Sequence, residues 1–178
     1  ENPANGSVTV QPDGSYAYTP NKDYNGADSF KITVTDSTDA STTVTVPVVV
    51  TPVNDAPVTS NQTWTTAEET AITKQVVASD IDGDNLSYKV VSQPSKGSVT
   101  LQADGTYTYK PNLDQNGQDT FRIEVSDGKG GVAISVITIN IDPVNDLPEG
   151  YAPDISTHED TPINGKVIAT DQDNDTIL

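Results

Sequence analysis

Pro52-Val53-Asn54-Asp55 returns unchanged as Pro143-Val144-Asn145-Asp146, 91 positions later. The same offset relates the chain to itself on both sides of these copies. Asn5-Gly6-Ser7-Val8-Thr9-Val10 aligns with Lys96-Gly97-Ser98-Val99-Thr100-Leu101, and Tyr16 and Tyr18 align with Tyr107 and Tyr109. Asn25-Gly26, Asp28 and Phe30 align with Asn116-Gly117, Asp119 and Phe121, and Asp80, Asp82 and Asp84 recur as Asp171, Asp173 and Asp175. A gapless period of this length is the signature of a tandem array in which each repeat is one structural unit. Pro-Val-Asn-Asp marks the junctions. The expected division is the C-terminal half of a repeat over residues 1–55, a complete repeat over 56–146, and the N-terminal half of a further repeat over 147–178. Ends that fall inside a repeat, in a chain without methionine, are expected of residues processed or cut from something longer.

Within the complete repeat the apolar residues alternate with period two, the mark of half-buried strands. Phe121, Ile123 and Val125 face one side while Arg122, Glu124 and Ser126 face the other. Trp64 opens a short strand, Ile72 to Val77 and Leu86 to Val90 form the next two, and Val99, Leu101, Tyr107 and Tyr109 flank the turn Ala103-Asp104-Gly105. In the last strand Val132, Ile134 and Val136 occupy one parity and Ile137, Ile139 and Ile141 the other, which predicts a bulge near Val136. No stretch has helical periodicity. Seven or so short strands in each repeat predict an all-β fold of tandem Greek-key β-sandwiches of immunoglobulin-like kind, repeating every 91 residues.

Acids outnumber bases 26 to 9, for a formal net charge of -17. Phosphate backbones need a basic face, so nucleic acid is excluded as a partner, and anionic membrane surfaces are disfavoured for the same reason. No apolar run approaches the length of a membrane span, so no membrane insertion is expected. With no cysteine there is neither thiol chemistry nor a disulfide to stiffen the chain.

The acids carry the chemistry. Calcium takes six to eight oxygens and accepts irregular cages of carboxylates, carbonyls and water. Asp80-Ile81-Asp82-Gly83-Asp84 offers carboxylates at alternate positions beside a glycine, and the pattern returns in the third repeat. It is not an EF-hand loop, because Gly83 precedes the third Asp and Val91 stands where the closing acid belongs. Turn chemistry is the bland alternative for Asp, Asn and Gly; recurrence at each junction, with Glu68 or Glu159 upstream, favours metal. His158, the single histidine, has no nucleophile placed with it. Repetition of acids in polar loops also argues against catalysis, so the chain is expected not to be an enzyme.

The segments Glu68-Glu69-Thr70-Ala71-Ile72, Asp80-x-Asp82-Gly83-Asp84, Val125-Ser126-Asp127-Gly128 and Asp142-Pro143-Val144-Asn145-Asp146-Leu147-Pro148 resemble motifs of the bacterial cadherin-like repeats found in large calcium-dependent secreted adhesins and surface proteins. The resemblance covers essentially the whole chain. It implies calcium held between consecutive domains, with Asn54, Asp55, Asp80, Asp82 and Asp127 as ligands at the first junction. At the second it implies Glu68, Asp142, Asn145, Asp146, Asp171 and Asp173, with Glu159 the counterpart of Glu68 in the following repeat. Two departures stand out. Thr51 replaces Asp142 at the first junction, and the family's L-D-R-E motif is not recognisable, leaving Asp28 and Asp119 as candidate substitutes or as turn caps.

The resemblance further implies an extracellular or cell-surface, non-catalytic, adhesive role in which calcium stiffens a rod of repeats, with neighbouring repeats as partners. Two alternatives remain open. Identical chains could join head to tail as filament subunits, the half-repeats completed by strand complementation. Or the repeats could bind polysaccharide through calcium and exposed aromatics, with Trp64, Tyr88, Tyr107 and Tyr109 as candidates.

Overall fold

A computed structural model describes residues 1–173, 176 and 177; Asp175, the third acid of the later loop, lies outside the described residues. The chain forms two compact units, Glu1–Asp55 with Ile81–Gly83, and Ala56–Asp80 with Asp84–Leu178. Every regular element among the described residues is a strand.

The first unit contains β1 (Gly6–Val10), β2 (Tyr16–Pro20), β3 (Gly26–Thr35) and β4 (Ser41–Val50), paired as two antiparallel hairpins. Pro47 lies on β4, which pairs with β3 alone, the edge position that a residue without an N–H requires. Phe30 is buried between Tyr16, edge-on at 5.2 Å, and Tyr18, stacked at 6.4 Å. The rest of the apolar face is open: Tyr16, Val34 and Val44 are each about half exposed.

The second unit contains β5 (Val58–Thr59), β6 (Gln62–Ala67), β7 (Ile72–Gln75), β8 (Ala78–Ser79), β9 (Ser87–Ser92), β10 (Gly97–Leu101), β11 (Thr106–Pro111), β12 (Gly117–Ser126), β13 (Val132–Asp142), β14 (Glu149–Tyr151) and β15 (Ile168–Thr170). A four-stranded sheet in the order β6-β13-β12-β9 and a three-stranded sheet in the order β10-β11-β7 enclose the core. The strand β6 runs parallel to β13 and the other pairs are antiparallel. Tyr107 and Tyr109 project from one sheet, and Phe121, Ile123, Val125, Ile137, Ile139 and Ile141 from the other. This is the two-layer all-β sandwich that the alternation predicts. Registers repeat with the sequence: Val10 faces Tyr16 as Leu101 faces Tyr107, and Gly26 faces Val50 as Gly117 faces Ile141. A side chain at Gly97 would put its Cβ 2.5 Å from the Tyr109 ring, so only glycine lets that ring lie flat across β10.

One expectation is corrected here. The pairing of β12 with β13 runs unbroken from Gly117–Ile141 to Ser126–Val132, with no bulge near Val136. Ser135, Ile137, Ile139 and Ile141 all point inward, while Val132 and Ile134 face solvent. The phase stays constant because Ser135 replaces an apolar residue on the inner face. It is fully buried, and its hydroxyl donates to the Ser60 carbonyl at 2.8 Å. A satisfied hydroxyl can occupy an inward position at little cost. The register shift lies instead between Arg122 and Ile123, against β9.

Candidate metal centres

The acids fall into two kinds by what their oxygens accept. Asp119 is buried at the start of β12. Its Oδ1 accepts from the Ser95 and Thr120 amides, each at 2.9 Å, and its Oδ2 from the Lys96 amide and the Tyr109 hydroxyl, each at 2.8 Å. Burial alone would raise its pKa, but these donors outweigh it and hold the carboxyl below its ordinary range. Asp28 repeats the arrangement with the amides of Ala4, Asn5 and Ser29 and the Tyr18 hydroxyl. Both carboxylates are saturated by protein donors, so of the two roles open to them they fill that of structural cap. Asp127 likewise caps its own loop, accepting from the Lys129 amide at 2.7 Å and the Gly131 amide at 2.9 Å.

Junction acids present oxygens to one another. Glu68, Asp146 and Asp173 each offer a carboxylate oxygen within 4.8 Å of the other two, as do Glu69, Asp114 and Asp146, and Asp80, Asp82 and Asp84. Asp146 belongs to two of these groups. Its pKa is raised, first by partial burial and then by the surrounding carboxylates of Asp173, Asp114, Glu68 and Asp171.

Backbone bonds hold these acids together. The turn after β6 carries Glu68, whose amide donates to the Asp142 carbonyl at 2.9 Å and whose carboxylate accepts from the Val144 amide. The Asp146 amide donates to Asp173 Oδ2 at 2.6 Å, and the Asp173 amide to Asp171 Oδ1 at 3.0 Å. Asn145 turns its side-chain amide onto the Asp146 carbonyl at 2.8 Å, as Asn54 does onto that of Asp55 at 3.1 Å. In the first unit the Asp55 amide donates to Asp82 Oδ2 at 2.8 Å, the same bond 91 residues earlier. Asp80 Oδ1 accepts from the Asp84 amide at 3.3 Å. Among the described residues, Asp55, Asp127, Asp142, Asp171 and Glu159 contribute no carboxylate to the three groups. Glu159 and His158 are exposed at the turn preceding Thr161.

Two of these acids, Asp114 and Glu69, are not among the ligands that the resemblance implies. Both take left-handed backbone, at φ 54 and 63, shared with Asp23 at φ 61 and Asp160 at φ 63 one period away. The signal was the recurrence of Asn21-Lys22-Asp23-Tyr24-Asn25 as Asn112-Leu113-Asp114-Gln115-Asn116, a spacing that reads equally well as a turn. Asp114 also accepts from the Gln172 side-chain amide. Of the sugar-contact candidates, Tyr107 and Tyr109 are fully buried in the core, and Trp64 donates its indole N–H to the Tyr107 hydroxyl at 2.9 Å beneath the Lys74 ammonium.

An all-oxygen donor set of crowded carboxylates fits a hard divalent cation, whose charge would offset the burial and repulsion that together raise Asp146. No helix among the described residues is long and apolar enough to cross a membrane.

Residues 54–140 match the family model described as a bacterial Ig domain, and residues 1–52 that of a bacterial cadherin-like domain. Integrin beta-like proteins B and E of Dictyostelium discoideum are 31% identical over 111 residues and 32% over 108. These alignments cover 56% and 53% of this chain but 6% of each relative, so the chain spans only a small part of their length. Among solved structures, protocadherin gamma B2 extracellular cadherin domains 1–5 align with a TM-score of 0.54 at 20% identity, over 94% of this chain and 38% of that one. The protocadherin gamma B4 extracellular domain aligns with a TM-score of 0.54 at 16% identity, over 94% and 31%. At these identities the likeness is one of fold. With family matches over 1–52 and 54–140 and cadherin-fold neighbours along nearly its full length, the chain is a tandem of bacterial cadherin/Ig-like domains of extracellular architecture.

Proposed function

We propose that this chain is a calcium-rigidified rod segment of a large bacterial adhesin or surface fibre, built from a half-repeat over 1–55, a complete repeat over 56–146 and a further half over 147–178. The observation that carries the reading is Asp146, shared between the Glu68–Asp173 and Glu69–Asp114 carboxylate groups and raised in pKa by burial and by the carboxylates of Asp173, Asp114, Glu68 and Asp171. Four acids converging on one short linker repel each other, and a divalent cation turns that repulsion into common coordination. Glu68, Glu69, Asp114, Asp146 and Asp173 would hold it, with Asn145, Asp142 and Asp171 in support. By the sequence offset, Asn54, Asp55, Asp80 and Asp82, with Asp127, are proposed for the first junction. Prolines at 52, 57, 143 and 148 limit what flexibility remains. Sites of roughly 10⁻⁴ to 10⁻³ M affinity fill outside cells, where calcium is abundant. Thermal unfolding and small-angle X-ray scattering in millimolar calcium and in chelator test this. Higher thermal stability and lower flexibility in calcium are expected, and identical behaviour in both would sink the proposal.

A second reading, the self-assembling filament subunit, is favoured by one contrast. Tyr16 and Val34 are about half exposed, whereas Tyr107 and Val125, one period later, are fully buried. Strands of another copy would cover that face. Light scattering distinguishes the readings: concentration-dependent growth in mass supports the filament, and a constant monomer mass removes it.

A further inference from the structure

The loop Asp127-Gly128-Lys129-Gly130-Gly131 differs from its counterpart Asp36-Ser37-Thr38-Asp39-Ala40 at the position that matters for charge. Thr38 turns its hydroxyl back onto Asp36 Oδ1 at 2.7 Å. Lys129 instead reaches away from its loop and places its ammonium 2.6 Å from Asp84 Oδ1. The backbone of Lys129 is fixed for this reach, because Asp127 accepts its amide at 2.7 Å and the Gly131 amide at 2.9 Å. Asp84 is the more buried partner: 13% of its side chain is exposed against 59% for Lys129, and its second oxygen is buried without a hydrogen-bond partner. The Asp84 amide in turn donates to Asp80 Oδ1, so the lysine meets a carboxylate already drawn into the acidic loop.

We propose that Lys129 is a built-in counter-cation that sets the calcium affinity of the Asp80–Asp84 loop. The inference rests on the calcium reading above. In the absence of metal the ammonium neutralises one charge of the loop and ties it to the β12–β13 connection. A divalent cation that takes Asp84 as a ligand must displace that ammonium. The charges that bear on Asp146 are instead the carboxylates of Asp173, Asp114, Glu68 and Asp171. The two sites are thereby graded, the lysine-guarded loop filling at the higher calcium concentration.

The test is a calcium titration of the full chain by calorimetry, after chelator treatment, with the Asp146 group silenced by Asp146→Asn and Glu68→Gln. Lys129→Met, which keeps the aliphatic stem of an exposed residue, is compared with Lys129 on that background. Tightening of the apparent Kd by about three- to tenfold is expected on removing a competing ion pair of surface strength. Binding seen only in the Lys129→Met protein would support the proposal as well. Equal or weaker affinity in the variant overturns it while leaving the calcium reading intact. No binding in both proteins while the chain without these substitutions binds also overturns it, and no binding in any of the three removes the calcium reading itself.

Discussion

The Tyr109 hydroxyl donates to Asp119 Oδ2 at 2.8 Å in the core of the complete repeat, and Tyr18 donates to Asp28 Oδ2 at 2.9 Å one period earlier. The pair joins the two sheets, since Tyr109 lies on β11 and Asp119 on β12, and it draws the Ser95 and Lys96 amides into the same carboxylate. Asp119→Ala leaves a buried hydroxyl and several amides without their acceptor and is expected to destabilise the domain by about 3 kcal/mol. Tyr109→Phe removes one bond to a charged group and should cost about 1.5 kcal/mol. Urea unfolding in chelator measures both. A structural cap predicts the same losses with calcium present, and a loss seen only in calcium would return Asp119 to the ligands.

Glu68 separates scaffold from ligand in one side chain. It is buried, and its carboxylate accepts the Val144 amide while facing Asp146 and Asp173. Glu68→Gln keeps a carbonyl oxygen for the amide and deletes the charge. Calcium affinity at the second junction should fall about tenfold, because affinity follows the number of charged ligands, while the melting temperature in chelator stays within about 2 °C of the parent. Calorimetry and thermal unfolding on the same samples check the two halves of this expectation.

Asp114→Asn makes a complementary test. The residue lies in a polar loop, with left-handed backbone that asparagine also tolerates, so the fold should survive. Calcium binding at the second junction should weaken by several-fold. Unchanged affinity would confine the centre to Glu68, Asp146 and Asp173.

The sandwich was legible because alternation survives where both faces differ in polarity, as in Phe121 to Ser126, and because a recurring pattern lets two noisy copies be read together. It misled in β13, where Ser135 holds an inner position that a hydrophobic pattern assigns outward. At the site, the acids were legible and their partition was not. Asp28 and Asp119 look like Asp80 and Asp146 in the sequence; the difference lies in which amides and hydroxyls the chain brings to each carboxylate, contacts up to 24 residues apart. Asp114 stayed hidden for the opposite reason, since Asn-x-Asp-x-Asn is ordinary turn chemistry until folding brings it to Asp146.

Asp146 gives the junction a pH dependence of predictable sign. Its folded pKa is raised by partial burial and by Asp173, Asp114, Glu68 and Asp171. A raised carboxyl contributes stability that is fully present below the unfolded value of about 3.9 and is lost as pH rises through the folded value. In chelator, stability should therefore decline as pH rises from about 4 towards neutrality. Asp119 has the opposite sign: its pKa is lowered, so its contribution is present above about 3.9 and is lost only as pH falls through its folded value. The two groups thus act in adjoining windows and can be separated. Asp146→Asn should flatten the upper window and leave the acid limb unchanged, and saturating calcium should flatten the same window in the parent by neutralising the group. Unfolding free energies measured at half-unit pH intervals, in chelator and in calcium, follow both effects. A decline of equal slope in the parent and in Asp146→Asn would place the repulsion elsewhere than at this linker.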